Sequence, residues 1–187
     1  MRTSLAFSEE IANLLYAAKG NPLKDCLQCG SCSASCPAVE YMDHTPRALI
    51  ALINADYRDD VLDSNTYWTC SSCYYCTLRC PAGIDIAGLM YGLKRYSMWK
   101  HTYKEDMIGP DFSESFVKMI MRTGRSFEPV LAPTYVFKRG VRALFDEAQT
   151  ASMLLLKGRL PLLPQKIDRL ENFKRMVRRI VPIGGAG

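Results

Sequence analysis

Eight cysteines fall into two copies of one spacing, Cys26-x2-Cys29-x2-Cys32-x3-Cys36-Pro37 and Cys70-x2-Cys73-x2-Cys76-x3-Cys80-Pro81. Two residues between successive ligands let a tight loop aim three thiolates at three corners of a small cubane, while the fourth, followed by proline, leaves in another direction. The chemistry this pattern supports is one-electron transfer at iron–sulfur clusters. Structural zinc is usually held by two separated pairs, often with histidine, and disulfides belong to oxidising compartments. Two [4Fe-4S] clusters are therefore the expected cofactors. One cluster beside a zinc or three-iron site, and a disulfide framework, are the alternatives.

Little else in the chain could react. With all eight cysteines engaged, no thiol remains as a nucleophile. His44 and His101 are the two histidines and neither sits in a recognisable motif, so each is read as a surface or capping residue. There is no Gly-x-Gly-x-x-Gly or phosphate-cradling loop. No catalytic residue is expected, only electron transfer. The residues beside the ligands differ between the copies: Gly30, Ser31, Ser33 and Ser35 in the first, Tyr74, Tyr75, Leu78 and Arg79 in the second. Hydrogen bonds, charge and solvent exposure set cluster potentials, so two separate potentials are expected. Tyr74 and Tyr75 are read as core aromatics.

Composition sets the frame for these sites. At 187 residues, 48% apolar and 23% charged, the chain can build a packed core, which excludes intrinsic disorder. The longest apolar run, Ile86 to Leu93 with glycines included, is far short of the roughly 20 residues that span a bilayer. The first ten residues lack the apolar stretch of a secretory signal, and a cytoplasmic location is expected. Charge is uneven: residues 1–121 carry 11 Lys+Arg against 14 Asp+Glu, and residues 122–187 carry 13 against 5. Two parts with separate jobs are expected, 1–104 holding both cysteine motifs and 105–187 forming a basic helical extension for partner docking.

The elements that must position the cysteines read as helices. Ser8 is placed as the cap of a helix carrying Ile11, Leu14, Leu15 and Ala18, ended by Gly20-Asn21-Pro22. Thr45-Pro46 opens a second through Leu49, Ile50 and Ile53. Asp56, Asp59, Asp60 and Asp63 are read as a solvated connection, and Ile86, Leu89, Met90 and Leu93 mark a helix reaching about Trp99. Later helices are expected from Ser113 to about Arg122, from near Pro133 with Phe137, Val141, Leu144 and Phe145 on one face, and along Leu170, Phe173, Val177 and Ile180. Residues 160–164, with Pro161 and Pro164, are read as an extended connector. The last helix sets Arg169, Lys174, Arg175, Arg178 and Arg179 opposite its apolar face. No sustained period-two pattern occurs, so the fold class is all-α.

The chain between Cys36 and Cys70 is 33 residues long with a helical pattern, unlike the short separation in small βαβ ferredoxins. It resembles the α-helical ferredoxin domain, also found in the iron–sulfur subunits of succinate dehydrogenase and fumarate reductase. In two-cluster ferredoxins the fourth cysteine of each motif ligates the other cluster. Carried over, that assigns Cys26, Cys29, Cys32 and Cys80 to one cluster and Cys70, Cys73, Cys76 and Cys36 to the second. With the run Cys80-Pro81-Ala82-Gly83-Ile84-Asp85-Ile86, the helical insertion and the helical tail, residues 20–100 resemble the C-subunit family of heterodisulfide reductase.

That resemblance implies an electron-relay subunit working with the flavin-containing, iron–sulfur-rich A subunit and the catalytic B subunit of heterodisulfide reductase. The catalytic partner reduces the mixed disulfide of coenzymes M and B, in methanogenesis or a related sulfur metabolism. A hydrogenase or formate dehydrogenase module is a further candidate partner, and neither nucleic acid nor a membrane span is expected. The catalytic partner uses Cys-Cys-Gly motifs, and no adjacent cysteine pair exists here. Two other readings remain: the iron–sulfur subunit of a quinone-linked dehydrogenase, and a nucleic-acid-binding protein with purely structural clusters.

Overall fold

The structure is a computed structural model that describes residues 6–16, 20–104, 107–127, 148, 152–159 and 164–180. The described residues are helical and contain no strand. The chain divides into two compact units, Met1–Glu105 and Asp106–Gly187.

In the first unit, helix α1 (Phe7–Tyr16) is followed in the chain by a 3-10 turn (Pro22–Asp25) and the one-turn α2 (Ser31–Ala34). Then come α3 (Pro46–Asn54), α4 (Arg58–Leu62), α5 (Thr66–Thr69), the one-turn α6 (Tyr75–Leu78) and the long α7 (Ile86–Lys100). Helices α1 and α5 pack on α7, and α3 lies against α1, α2 and α4. The buried core combines Phe7 and Ile11 with Leu49, Ile50 and Ile53, and with Ile86, Leu89, Met90, Leu93 and Tyr96 of α7. The i, i+3, i+4, i+7 face of α7 is thus the spine of the unit. Gly92 on that helix is required by close packing, because a Cβ there would lie 2.0 Å from Leu15 Cδ2 of α1.

Several ends follow from local chemistry. The Thr45 hydroxyl accepts from Ala48 N, and Pro46 fills the first position of α3, where a missing N–H costs nothing. Asp85 caps α7 by accepting from Gly88 N at 2.9 Å. A polar lock ties α1, α4 and α7: Arg58 donates to Glu10 and to the Tyr96 hydroxyl at 2.6 Å, and Tyr96 donates to Glu10 at 2.9 Å.

Two expectations are corrected here. Ser8 does not cap α1; the helix begins at Phe7, whose buried ring anchors it, and Leu14 is exposed. The acidic stretch is not merely a solvated connection, since α4 turns Val61 and Leu62 into the core while Asp59 and Asp60 occupy its first turn. Acidic side chains there complement the helix dipole.

In the second unit, α8 (Ile108–Thr123) begins before Ser113 and ends at Gly124, whose φ of 82° is the left-handed cap glycine permits. A short helix, α9, spans residues 152–156, and α10 is Leu170–Ile180. Leu170, Phe173 and Val177 are half-buried, whereas Arg175, Arg178 and Arg179 are exposed. The expected helix near Pro133, the residues 160–163 of the connector and Ala18 lie outside the described residues.

Candidate iron–sulfur centres

The two cysteine motifs repeat in backbone as well as in spacing, each residue of the first having its counterpart 44 positions on. Cys26 has φ −65° and ψ 114°, and Cys70 has −61° and 119°. Gln28 and Ser72 both have φ 55°, and Gly30 and Tyr74 both take the left-handed conformation, at φ 82° and 64°. Each loop then makes a single turn of helix and leaves it at Ser35 (φ −94°, ψ −4°) or Arg79 (φ −94°, ψ 0°). The two turns, α2 and α6, pack against each other.

Around these turns lie two hollows. One, open to solvent, is lined by Cys26, Cys29, Cys32 and Cys80, with Ile50, Ile84 and Ile86 as its apolar wall. The other is lined by Cys36, Cys70, Cys73 and Cys76, with Ala87 and Met90 of α7 behind them. The fourth cysteine of each motif therefore stands with the first three of the other. All eight are free thiols. Among the described residues no three His, Cys, Asp or Glu side chains converge closely enough for a single metal ion. Zinc needs such convergence, with Zn–S near about 2.3 Å, whereas a cubane separates its four thiolates by its own width. Four soft donors around a hollow with an apolar wall fit an iron–sulfur cluster.

The surroundings of the two sets differ. In the first, Gln28 Nε2 donates to Cys26 Sγ at 3.4 Å and Ile84 N to Cys80 Sγ at 3.4 Å. The Ser31 hydroxyl stands 3.4 Å from Cys29 Sγ, and this hydrogen bond draws the thiol below its ordinary range. In the second, Lys94 of α7 donates to the Cys70 carbonyl at 3.0 Å. Burial raises the thiols of Cys32 and Cys76, which are equivalent positions of the repeat. The run at 80–86 has a mechanical reading: Gly83 makes a left-handed turn at φ 66°, Ile84 and Ile86 are buried, and Asp85 between them caps α7.

Tyr74 and Tyr75 are not core aromatics. They are 53% and 57% exposed, with Leu78 at 80%, because the second loop turns them outward. His101 is the left-handed C-cap of α7 and His44 lies on the loop before α3; neither lines a hollow. Gln28 and Lys94 were not singled out from the sequence, and Ile84 only as part of the run at 80–86. Lys94 could have been, since Ala87, Met90 and Lys94 share one face of α7 at i, i+3 and i+7.

Tyr74 occupies a backbone position that its counterpart fills with glycine. A left-handed conformation costs an ordinary residue about 1–2 kcal/mol, and a ring half in solvent returns little of that. Tyr74→Gly should therefore stabilise the cluster-loaded chain by about 1 kcal/mol in chemical denaturation at equal iron content. A loss of stability would show that the ring makes contacts worth more than the strain.

Eight cysteines on paired loops within a helical core define a dicluster iron–sulfur domain of the ferredoxin type. Residues 22–84 match the 4Fe-4S dicluster domain family, and the cofactors are two [4Fe-4S] clusters. The chain resembles the C subunit of heterodisulfide reductase. It is 33% identical over 82 residues to the C subunit of the H(2):CoB-CoM heterodisulfide,ferredoxin reductase of Methanothermobacter marburgensis, covering 44% of each chain. It is 46% identical over 59 residues to the C subunit of the Ferredoxin:CoB-CoM heterodisulfide reductase of Methanosarcina acetivorans, covering 32% of this chain and 24% of that one. Against the C subunit of the reductase of the same name from Methanosarcina mazei it is 36% identical over 93 residues, covering 50% of this chain and 56% of the other. The chain thus spans about half or less of the length of these relatives.

Proposed function

We propose that this chain is the electron-relay subunit of a heterodisulfide-reductase-type complex. In this reading Cys26, Cys29, Cys32 and Cys80 hold one cluster, and Cys70, Cys73, Cys76 and Cys36 hold the other. Each cluster supplies a one-electron centre when bound. The chain's own residues supply the ligands, sulfur-directed hydrogen bonds on one side and a lysine charge on the other, and an apolar wall that limits water.

The observation that carries this reading is the pair of hollows, each bordered by four cysteines drawn from both motifs, whose one-turn helices α2 and α6 pack together. Two redox centres in one small core make a conduit, and with all eight cysteines serving as cluster ligands no thiol is left for substrate chemistry. The relatives' names refer to reductases of the CoB-CoM heterodisulfide. In that setting electrons enter from a flavin-containing, iron–sulfur-rich donor subunit and leave to a catalytic subunit that reduces the coenzyme M–coenzyme B heterodisulfide. A hydrogenase or formate dehydrogenase module stands further upstream. The basic region after residue 121 serves as a docking surface, and the complex is cytoplasmic. Among the described residues no helix is long and apolar enough to cross a membrane.

The test is reconstitution. The purified, cluster-loaded chain alone should reduce no heterodisulfide, and should restore electron flow from a reduced donor when added to a complex depleted of this subunit. Turnover of heterodisulfide by the chain alone, or a depleted complex at full rate without it, would overturn the relay role.

A further inference from the structure

The two cluster loops match in backbone conformation at equivalent residues, so a functional difference between the centres must come from what surrounds them. The first hollow is walled by Ile50, a buried hydrocarbon, and its cation, Arg47, is exposed, where water screens its charge. Beside the second stands Lys94. It is half-buried on the face of α7 that also carries Ala87 and Met90, and its Nζ is held 3.0 Å from the Cys70 carbonyl.

We infer that the Lys94 ammonium raises the reduction potential of the cluster that Cys70 helps to hold, making Lys94 a positioning residue for the electron. The inference rests on the ligand sets proposed above. Reduction adds one negative charge to a centre already made negative by four thiolates, and a fixed positive charge nearby stabilises the added electron. A half-buried charge acts through a medium of lower effective dielectric than an exposed one, so Lys94 outweighs Arg47. Its hydrogen bond to a ligand's own carbonyl fixes the distance, which a free surface lysine would not keep.

Redox titration of the full chain followed by electron paramagnetic resonance tests this. Cys36→Ser and Cys73→Ser identify the second cluster, because both should alter the same signal. Lys94→Met should then weaken reduction of that cluster about tenfold, equivalent to about 59 mV for a one-electron couple, and leave the other cluster in place. Lys94→Gln, which can still hydrogen-bond the Cys70 carbonyl, should show the same fall, and Lys94→Arg should recover the wild-type value. These two separate charge from packing, since a merely structural role would change iron content without this pattern. If Cys36→Ser and Cys73→Ser alter one signal and neither neutral variant moves it, the inference falls while the ligand sets stand. Equal shifts in both clusters would also overturn it. If the two cysteine variants alter different signals, the ligand sets fail and the inference fails with them.

Discussion

Cys80→Ala should destroy the cluster bordered by Cys26, Cys29 and Cys32 while sparing the one in its own motif, and Cys36→Ala should do the reverse. The physical reason is direction. After Cys36 and Cys80 the chain turns at Pro37 and Pro81, and each of these cysteines lines the hollow occupied by the first three of the opposite repeat. Losing one thiolate of four leaves an iron without a protein ligand, so the expected effect is loss of the affected cluster or its decay to a three-iron form. Iron analysis should fall from about eight towards about four per chain, as befits two four-iron centres. Spectroscopy should show the surviving signal unchanged. Damage confined to the motif that carries the substitution would mean that each repeat closes its own cluster.

Complete removal of iron should unfold much of the first unit. The hollows interrupt the core, with Ile50, Ile84 and Ile86 facing one and Ala87 and Met90 the other. Cluster binding is coupled to the folding of these loops, and its loss is set against a domain stability of only about 5–15 kcal/mol. The ligand loops have no compensating core of their own: from Cys26 to Cys36 the side chains are chiefly Gly, Ser, Ala and Cys. Helical circular dichroism should fall sharply on anaerobic chelation and recover when iron and sulfide are returned. A helical signal unchanged after complete removal would show that α3 and α7 hold together without the clusters.

The parts of the fold written in short-range chemistry were readable from the chain. Thr45-Pro46 opened α3 as expected, and the face of Ile86, Leu89, Met90 and Leu93 became the buried side of α7. Where a tertiary contact overrides local signals, the reading failed. Ser8 is a good capping residue, yet burial of Phe7 starts α1 two positions earlier than a cap at Ser8 would. Val61 and Leu62 are two apolar residues in an acidic stretch, too few to show a period, and only the packing of α4 on α3 brings them inside.

The cysteine spacing was legible as cluster chemistry because metal ligation restricts spacing more tightly than packing does. The character of the surroundings was not. Tyr74 and Tyr75 looked like core aromatics, but their direction is set by a left-handed backbone that no propensity announces. Lys94 is one basic residue among 24 Lys and Arg in the chain, and only the orientation of α7 singles it out.

Neither hollow is built from one stretch of chain. The first draws on residues 26–32, on Arg47 and Ile50, and on residues from Cys80 to Ile86; the second draws on Cys36, Met42 and Pro46, on residues 70–76, and on Ala87 and Met90. During translation, then, three thiols of the first repeat emerge about fifty residues ahead of the wall that must stand opposite them. Until the start of α7 has cleared the ribosome, the nascent chain offers reactive cysteines on a loop with no enclosed place for an inorganic core. Cluster delivery is thereby tied to the emergence of α7, and both centres become available for loading at nearly the same moment.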